Sequence, residues 1–205
     1  MRGARLFLTC CLTVFLGAIS ACQNERTHSM LPTDVTLKAG DVVFRSGRGI
    51  ASLVVVAADL GGSYSHVGIV VDSCGVPMIV HAVPDEPDFD GDTDRVKMDS
   101  PDKFFGSERT TKGEICRPQD SIRAARAAGA ALQVYRRGVL FDHDYDDSDT
   151  TRMYCTELVV YALQRAGFDL SSLPRQRVSL PVVKSDCVMP SAIHGLPFLT
   201  TVTEF

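Results

Sequence analysis

The runs HVGIVVD at 66–72 and PMIVHAV at 77–83 constrain the fold of this chain more than any other stretch. Both are rich in β-branched residues, and only Ser73, Cys74, Gly75 and Val76 separate them, so they read as two arms of a β-hairpin. A turn centred on Cys74-Gly75 sets His66 opposite Val83 and Gly68 opposite His81. Both imidazoles then lie on one face as diagonal neighbours, with Gly68 leaving room beside them. A single histidine at a sheet end usually just packs or meets solvent; a pair on adjacent strands invites a search for a third group.

That group is offered by TRMYCTELVVYALQRAG at 151–167. Leu158, Val159, Ala162 and Ala166 recur at helical spacing and Gly167 suits the C-terminal end, which places Cys155 in the first turn of an apolar helix. The positive end of the helix dipole lowers a thiol pKa, and the thiolate is the reactive species. A catalytic thiol needs a base within reach and a further group to orient that base. His66 and His81 are the candidates, because His28 falls in a polar lead-in and His194 in a proline-rich tail.

The N-terminus reads as a secretion signal: Arg2 and Arg5 precede an apolar run from Leu6 to Ile19 that is too short for an ordinary membrane span. Ile19-Ser20-Ala21-Cys22 resembles the bacterial lipobox, which implies cleavage before Cys22 and lipidation of that residue. Gln23 in place of aspartate favours the outer membrane by the same resemblance. Acyl chains hold a domain at about 0.8 kcal/mol per buried methylene. The organisation expected is a signal at 1–21, a lipidated tether at 22–33 and one domain at 34–205.

A net charge of -4 with no long basic stretch gives no reason to expect a nucleic-acid partner. Cys74, Cys116, Cys155 and Cys187 show no CxxC or CxxH spacing, so a cysteine metal site is not expected, and with Cys155 kept free at most one disulfide can join the other three. Asp142, Asp144 and Asp146 imitate a calcium loop, but Asp147 replaces the glycine at its sixth place and Met153 the glutamate at its twelfth. Asp88, Asp90, Asp92 and Asp94 fail likewise, with Thr93 and Asp99 at those places. No cofactor is called for.

Elsewhere, a strand is expected over 36–44, a short helix over 50–60 ended by Gly61-Gly62, a long loop over 84–113 with a structured piece near Lys103–Phe105, and a strand over 114–118. Asp120 or Ser121 caps a helix over SIRAARAAGAALQVYRR, weakened by Gly129, and the tail from Ser171 reads as mostly irregular. Strands first and helices after argue for an α+β domain.

Ser65-His66-Val67-Gly68-Ile69, then Val80-His81-Ala82, then Tyr154-Cys155-Thr156-Glu157-Leu158 opening a helix, together with GDVVF at 40–44, resemble the circularly permuted NlpC-type papain-like cysteine hydrolases. The histidines precede the cysteine, as in the permuted branch, which also includes the lecithin:retinol acyltransferase-like proteins. The resemblance covers about Gly40 to about Gly167. It implies an antiparallel sheet packed against the cysteine helix, with Cys155 as nucleophile, His66 as base and His81 orienting it. Relatives often carry glutamate where His81 stands and Tyr-Asp where this chain has Phe141-Asp142. The oxyanion or substrate contact of that tyrosine then passes to Tyr64, Tyr145 or Tyr154. The expected activity is amide hydrolysis in peptidoglycan stem peptides or other envelope peptides, by a lipoprotein facing the periplasm. The alternatives are a lipid ester or amide hydrolase or acyltransferase with the same triad, and a non-catalytic envelope binding lipoprotein.

Overall fold

The computed structural model describes residues 28–179 and 184–205, so the expected signal and the first half of the tether, Cys22 included, lie outside the described residues. Ten strands occur in chain order: β1 (Val42–Gly47), β2 (His66–Ser73), β3 (Val76–Val83), β4 (Arg95–Asp99), β5 (Thr110–Pro118), β6 (Leu140–Phe141), β7 (Arg152–Met153), β8 (Gln176–Ser179), β9 (Lys184–Cys187) and β10 (Leu199–Glu204). Five helices accompany them: α1 (Ile50–Ala58), α2 (Pro101–Phe104), α3 (Ser121–Arg136), α4 (Cys155–Arg165) and α5 (Pro190–His194). The main sheet has the order β10-β5-β1-β2-β3-β4-β6-β7, and β8 and β9 form a separate pair. Its neighbours are antiparallel except β6 and β7. The class is α+β, as the order of elements implies.

The hairpin adopts the expected register. Cys74 and Gly75 both have positive φ, 57° and 84°, which gives the two-residue turn a twist matching its arms. Bonded pairing runs from Ser73↔Val76 to Ile69↔Val80 and stops there, two residues short of Val67 and three short of His66 on one side, and two short of Ala82 and three short of Val83 on the other. Strand alternation then sorts the sheet into two faces. Phe44, Val67, Ile69, Val80 and Ala82 join Leu158, Val159, Ala162 and Leu163 of α4 and the alanines of α3 in the larger core. Val43, Val70, Ile79 and Ile115 meet Phe104 and Phe105 in a smaller one.

Asp120 is the cap of α3, its Oδ1 accepting the N–H groups of Ile122 and Arg123 at 3.0 and 2.9 Å. Gly129 interrupts nothing because it faces solvent while Ala127, Ala128 and Ala131 are buried. Three expectations need correction. The first strand begins only at Val42, after Gly40 turns the chain with φ 91°. The lead-in joins the domain before residue 34: Met30 N–H bonds Phe105 O, Ser107 N–H bonds His28 O, and Leu31 and Val35 pack on the smaller core. The tail is ordered: Pro190 opens α5 at a position where a missing N–H costs nothing, and β10 completes the sheet beside β5.

Candidate active site

His66 starts β2, His81 lies in β3 and Asp99 ends β4, so three adjacent strands deliver one polar row. His66 Nε2 lies 2.9 Å from His81 Nδ1, and His81 Nε2 lies 3.2 Å from Asp99 Oδ2. Lys103 Nζ holds the other Asp99 oxygen at 2.8 Å. Burial acts to raise the Asp99 carboxyl, but the bonds and charges of His81 and Lys103 outweigh it and hold it far below the ordinary range. Asp99 is therefore a carboxylate that only accepts, and the row has one consistent proton arrangement. His81 donates from Nε2 to Asp99, its Nδ1 accepts from His66 Nε2–H, and His66 is left with a bare Nδ1.

The surroundings keep both rings neutral. Phe104 packs on them at centroid distances of 5.7 and 5.1 Å, and both histidines are buried. Burial, then the Arg45 charge and His81, push His66 well below its ordinary 6.5. Burial also lowers His81, against the pull of Asp99. Arg45 sits over the Phe104 ring at 4.8 Å and is paired with Glu86. Gly68 is needed here: a Cβ on it would lie 2.8 Å from Ile79 Cγ2 and 3.2 Å from His81 Cβ, so the room expected beside the rings is real.

Cys155 is the first residue of α4, as its sequence position implies. Its thiol meets the backbone N–H groups of Val67, Thr156 and Cys155 itself, at the point where β2 and β3 have stopped pairing. The thiol is thus placed beside the residue that follows His66, although no hydrogen bond joins Cys155 to His66. The expected depression of its pKa is overturned: burial pushes the thiol up to about 11 against those three N–H groups. The helix-end argument counts the dipole and omits desolvation, which is larger here.

The three tyrosines separate. Tyr64 donates to Glu114 Oε2 at 2.5 Å and is committed there. Tyr145 has φ 55°, and burial followed by the charges of Cys155 and Cys187 pushes its hydroxyl up to about 12. Tyr154 stacks near Tyr145 at 5.3 Å, and its buried hydroxyl finds no partner among the described residues. Asp142 fixes the Tyr145 loop by accepting from the N–H groups of Asp144 and Asp146.

Glu157, one turn into α4, accepts weakly from Tyr154 N–H at 3.3 Å, and burial, assisted by Asp142, Asp147 and Asp149, pushes its carboxyl up to about 8. A carboxyl raised on folding adds stability that is complete below its ordinary value of 4.5 and is lost as the pH climbs through about 8. Glu157→Gln should therefore flatten the fall in melting temperature between those pH values and exceed the wild type at alkaline pH. The gain is on the order of 2 kcal/mol after allowing for partial screening by solvent. Melts at closely spaced pH values check it; parallel curves for the two proteins would show that Glu157 is not the group responsible.

Sequence reasoning missed Asp99, Lys103 and Arg45. It also denied His194 a rigid setting, whereas α5 holds it with Nε2 3.0 Å from Glu114 Oε2. Glu114, Cys116 and His194 bring one ligand atom each to within 4.8 Å of one another, a carboxylate, thiol and imidazole set of the kind that holds a divalent metal. Cys74, Cys116, Cys155 and Cys187 are all free thiols. Asp88 and Asp92 of the failed calcium loop at 88–99 pair instead with Lys97, Lys103 and Arg95, and Glu86 just before it pairs with Arg45.

Fold and geometry together define an α+β domain with a buried His–His–Asp row and a thiol at a helix start that faces the backbone of Val67, the residue after His66. No known family profile matches the chain, and no curated protein sequence matches it. Among solved structures it is similar to the metalloprotein YiiX of Escherichia coli O157:H7, described as DUF1105, with a TM-score of 0.63 at 22% identity over 82% of this chain and 97% of that one. The likeness establishes the fold.

Proposed function

We propose that the protein is a circularly permuted papain-like cysteine hydrolase of the cell envelope, lipid-anchored at Cys22, that cleaves amide bonds in peptidoglycan stem peptides or related peptides. The observation that carries this is the proton arrangement of the row: Asp99 and His81 leave His66 with its basic atom, Nδ1, unengaged, and the next residue's N–H faces the Cys155 thiol. Cys155 Sγ attacks the carbonyl carbon while its proton passes to His66 Nδ1. The N–H of Cys155 at the helix start helps hold the oxyanion. The tetrahedral adduct expels the amine, which takes the proton from His66, and leaves a thioester. Water then attacks the thioester, giving its proton to His66, and the carboxylic acid departs as the thiol is re-formed. His81 keeps the His66 tautomer, and Asp99 keeps that of His81.

Lipid esters or lipid amides would form the same thioester, so the test offers both substrate classes. Incubation of the purified full-length chain with muropeptides and, separately, with phospholipids, followed by mass spectrometry, should show stem-peptide fragments in the first arm. Lysolipid or free fatty acid in the second arm with an unchanged first would move the reading to lipids. Unchanged substrates in both arms, from an unmodified chain whose Cys155 proves reactive to iodoacetamide in a parallel sample, would point to a binding lipoprotein.

A second reading concerns the Glu114–Cys116–His194 cluster and is favoured by the description of YiiX as a metalloprotein. The donor set fits a zinc-like ion with three protein ligands, and Tyr64, already bonded to Glu114, lies beside it. Bound cobalt(II) should give an intense sulfur-to-metal absorption band that disappears in Cys116→Ser and weakens in His194→Ala. A spectrum equal to that of free cobalt(II) would remove the reading.

A further inference from the structure

We infer that α1 is a second membrane contact, docking on the lipid surface beside the anchor. The helix, IASLVVVAA, has no charged residue, and not one of its nine residues is buried. Ile50 is 82% exposed, Leu53 64% and Leu60, just past its end, 83%. Such a run of exposed aliphatic side chains on one short element is unusual for a surface facing only water. The nearest acid is withdrawn from it: Asp59 turns inward and accepts from Ser191 N–H at 2.9 Å. The occupant follows from where the chain enters the domain. His28 O accepts from Ser107 N–H, Ser107 O accepts from Arg48 Nε at 2.7 Å, and Arg48 N–H bonds Arg109 O, so the entry point and the start of α1 share one loop. Six residue steps separate Cys22 from His28, a reach of at most about 20 Å even fully extended. With Cys22 acylated, as the proposed function holds, that loop stays within this reach of the bilayer and α1 is brought to the headgroup layer. Ser65, preceding His66, accepts from Gly47 N–H at the foot of α1, so docking also brings the start of the His66 strand toward the membrane surface.

The chain contains no tryptophan, so a single introduced one reports its own surroundings. Full-length Leu53→Trp on vesicles of phosphatidylethanolamine and phosphatidylglycerol should show blue-shifted emission and several-fold stronger quenching by doxyl-labelled lipid than Ile122→Trp. Ile122 is also exposed, at the opposite end of β5 from α1. Equal quenching of the two in vesicle-bound protein overturns the docking and leaves the anchor untouched, and so does Ile122→Trp being the more quenched. Flotation reads the anchor separately. A chain that still floats after Cys22→Ser and is released by adding Leu53→Asp upholds α1 while removing the anchor. A chain that never floats overturns both.

Discussion

Cys155→Ala should abolish release of fragments from muropeptides, a loss of at least about a thousandfold if the thioester route operates, with the melting temperature little changed. The side chain is small and only half-buried, so alanine leaves little empty space. The pH profile of the wild type is as informative. Burial pushes the thiol up to about 11 and His66 well below 6.5, so both groups rest neutral and, on the proposed route, the proton moves during attack. Alkylation of Cys155 by iodoacetamide should then keep rising roughly tenfold per pH unit through the neutral and mildly alkaline range. A plateau reached near pH 6 would mean a preformed thiolate–imidazolium pair and would contradict the neutral resting state. Cys74 is exposed on the hairpin turn and labels in its own right, so the measurement is made in Cys74→Ser.

The second large effect lies at Asp99. Asp99→Asn offers His81 Nε2 either a donor or a neutral acceptor, and the amide's donor side would force His81 and then His66 into the opposite tautomers, burying the basic atom of His66. Turnover should fall by about 10² to 10⁴ with substrate affinity nearly unchanged. The same geometry revises what glutamate would do at position 81. In relatives it can accept the ring N–H directly, but here it would stand against the Asp99 carboxylate, two like charges in a buried site. His81→Glu alone should therefore be nearly as damaging as His81→Ala, and adding Asp99→Asn should restore part of the rate. Equal rates for His81→Glu with and without Asp99→Asn would show that the aspartate has no part in orienting the row.

The hairpin and the place of Cys155 were legible because their signals are local: alternation, a two-residue turn and a helical repeat interrupted by glycine. Asp99 was not, because its strand reads RVKMD within a stretch dense in acids, prolines and glycines, and nothing local marks that strand as an inner one. Lys97, fully buried in the same strand, is masked by the same rule that charged residues stay outside. The thiol was read with the wrong sign because the helix dipole is a property of sequence position, whereas desolvation depends on everything packed around it. The tail misled because its prolines look like breaks, while Pro190 begins a helix and the strand that follows pairs with a segment some eighty residues earlier, a contact no window of sequence contains.

The early end of the β2–β3 pairing leaves Val67 N–H facing the Cys155 sulfur rather than a strand partner. On the proposed route, acylation of the sulfur would weaken that contact and loosen the strand end carrying His66 as its imidazole turns from departing amine to incoming water. Covalent state and local stiffness would then be linked through one amide. Faster deuterium uptake at Val67 in an alkylated or acylated protein than in the free one is the signature of that link.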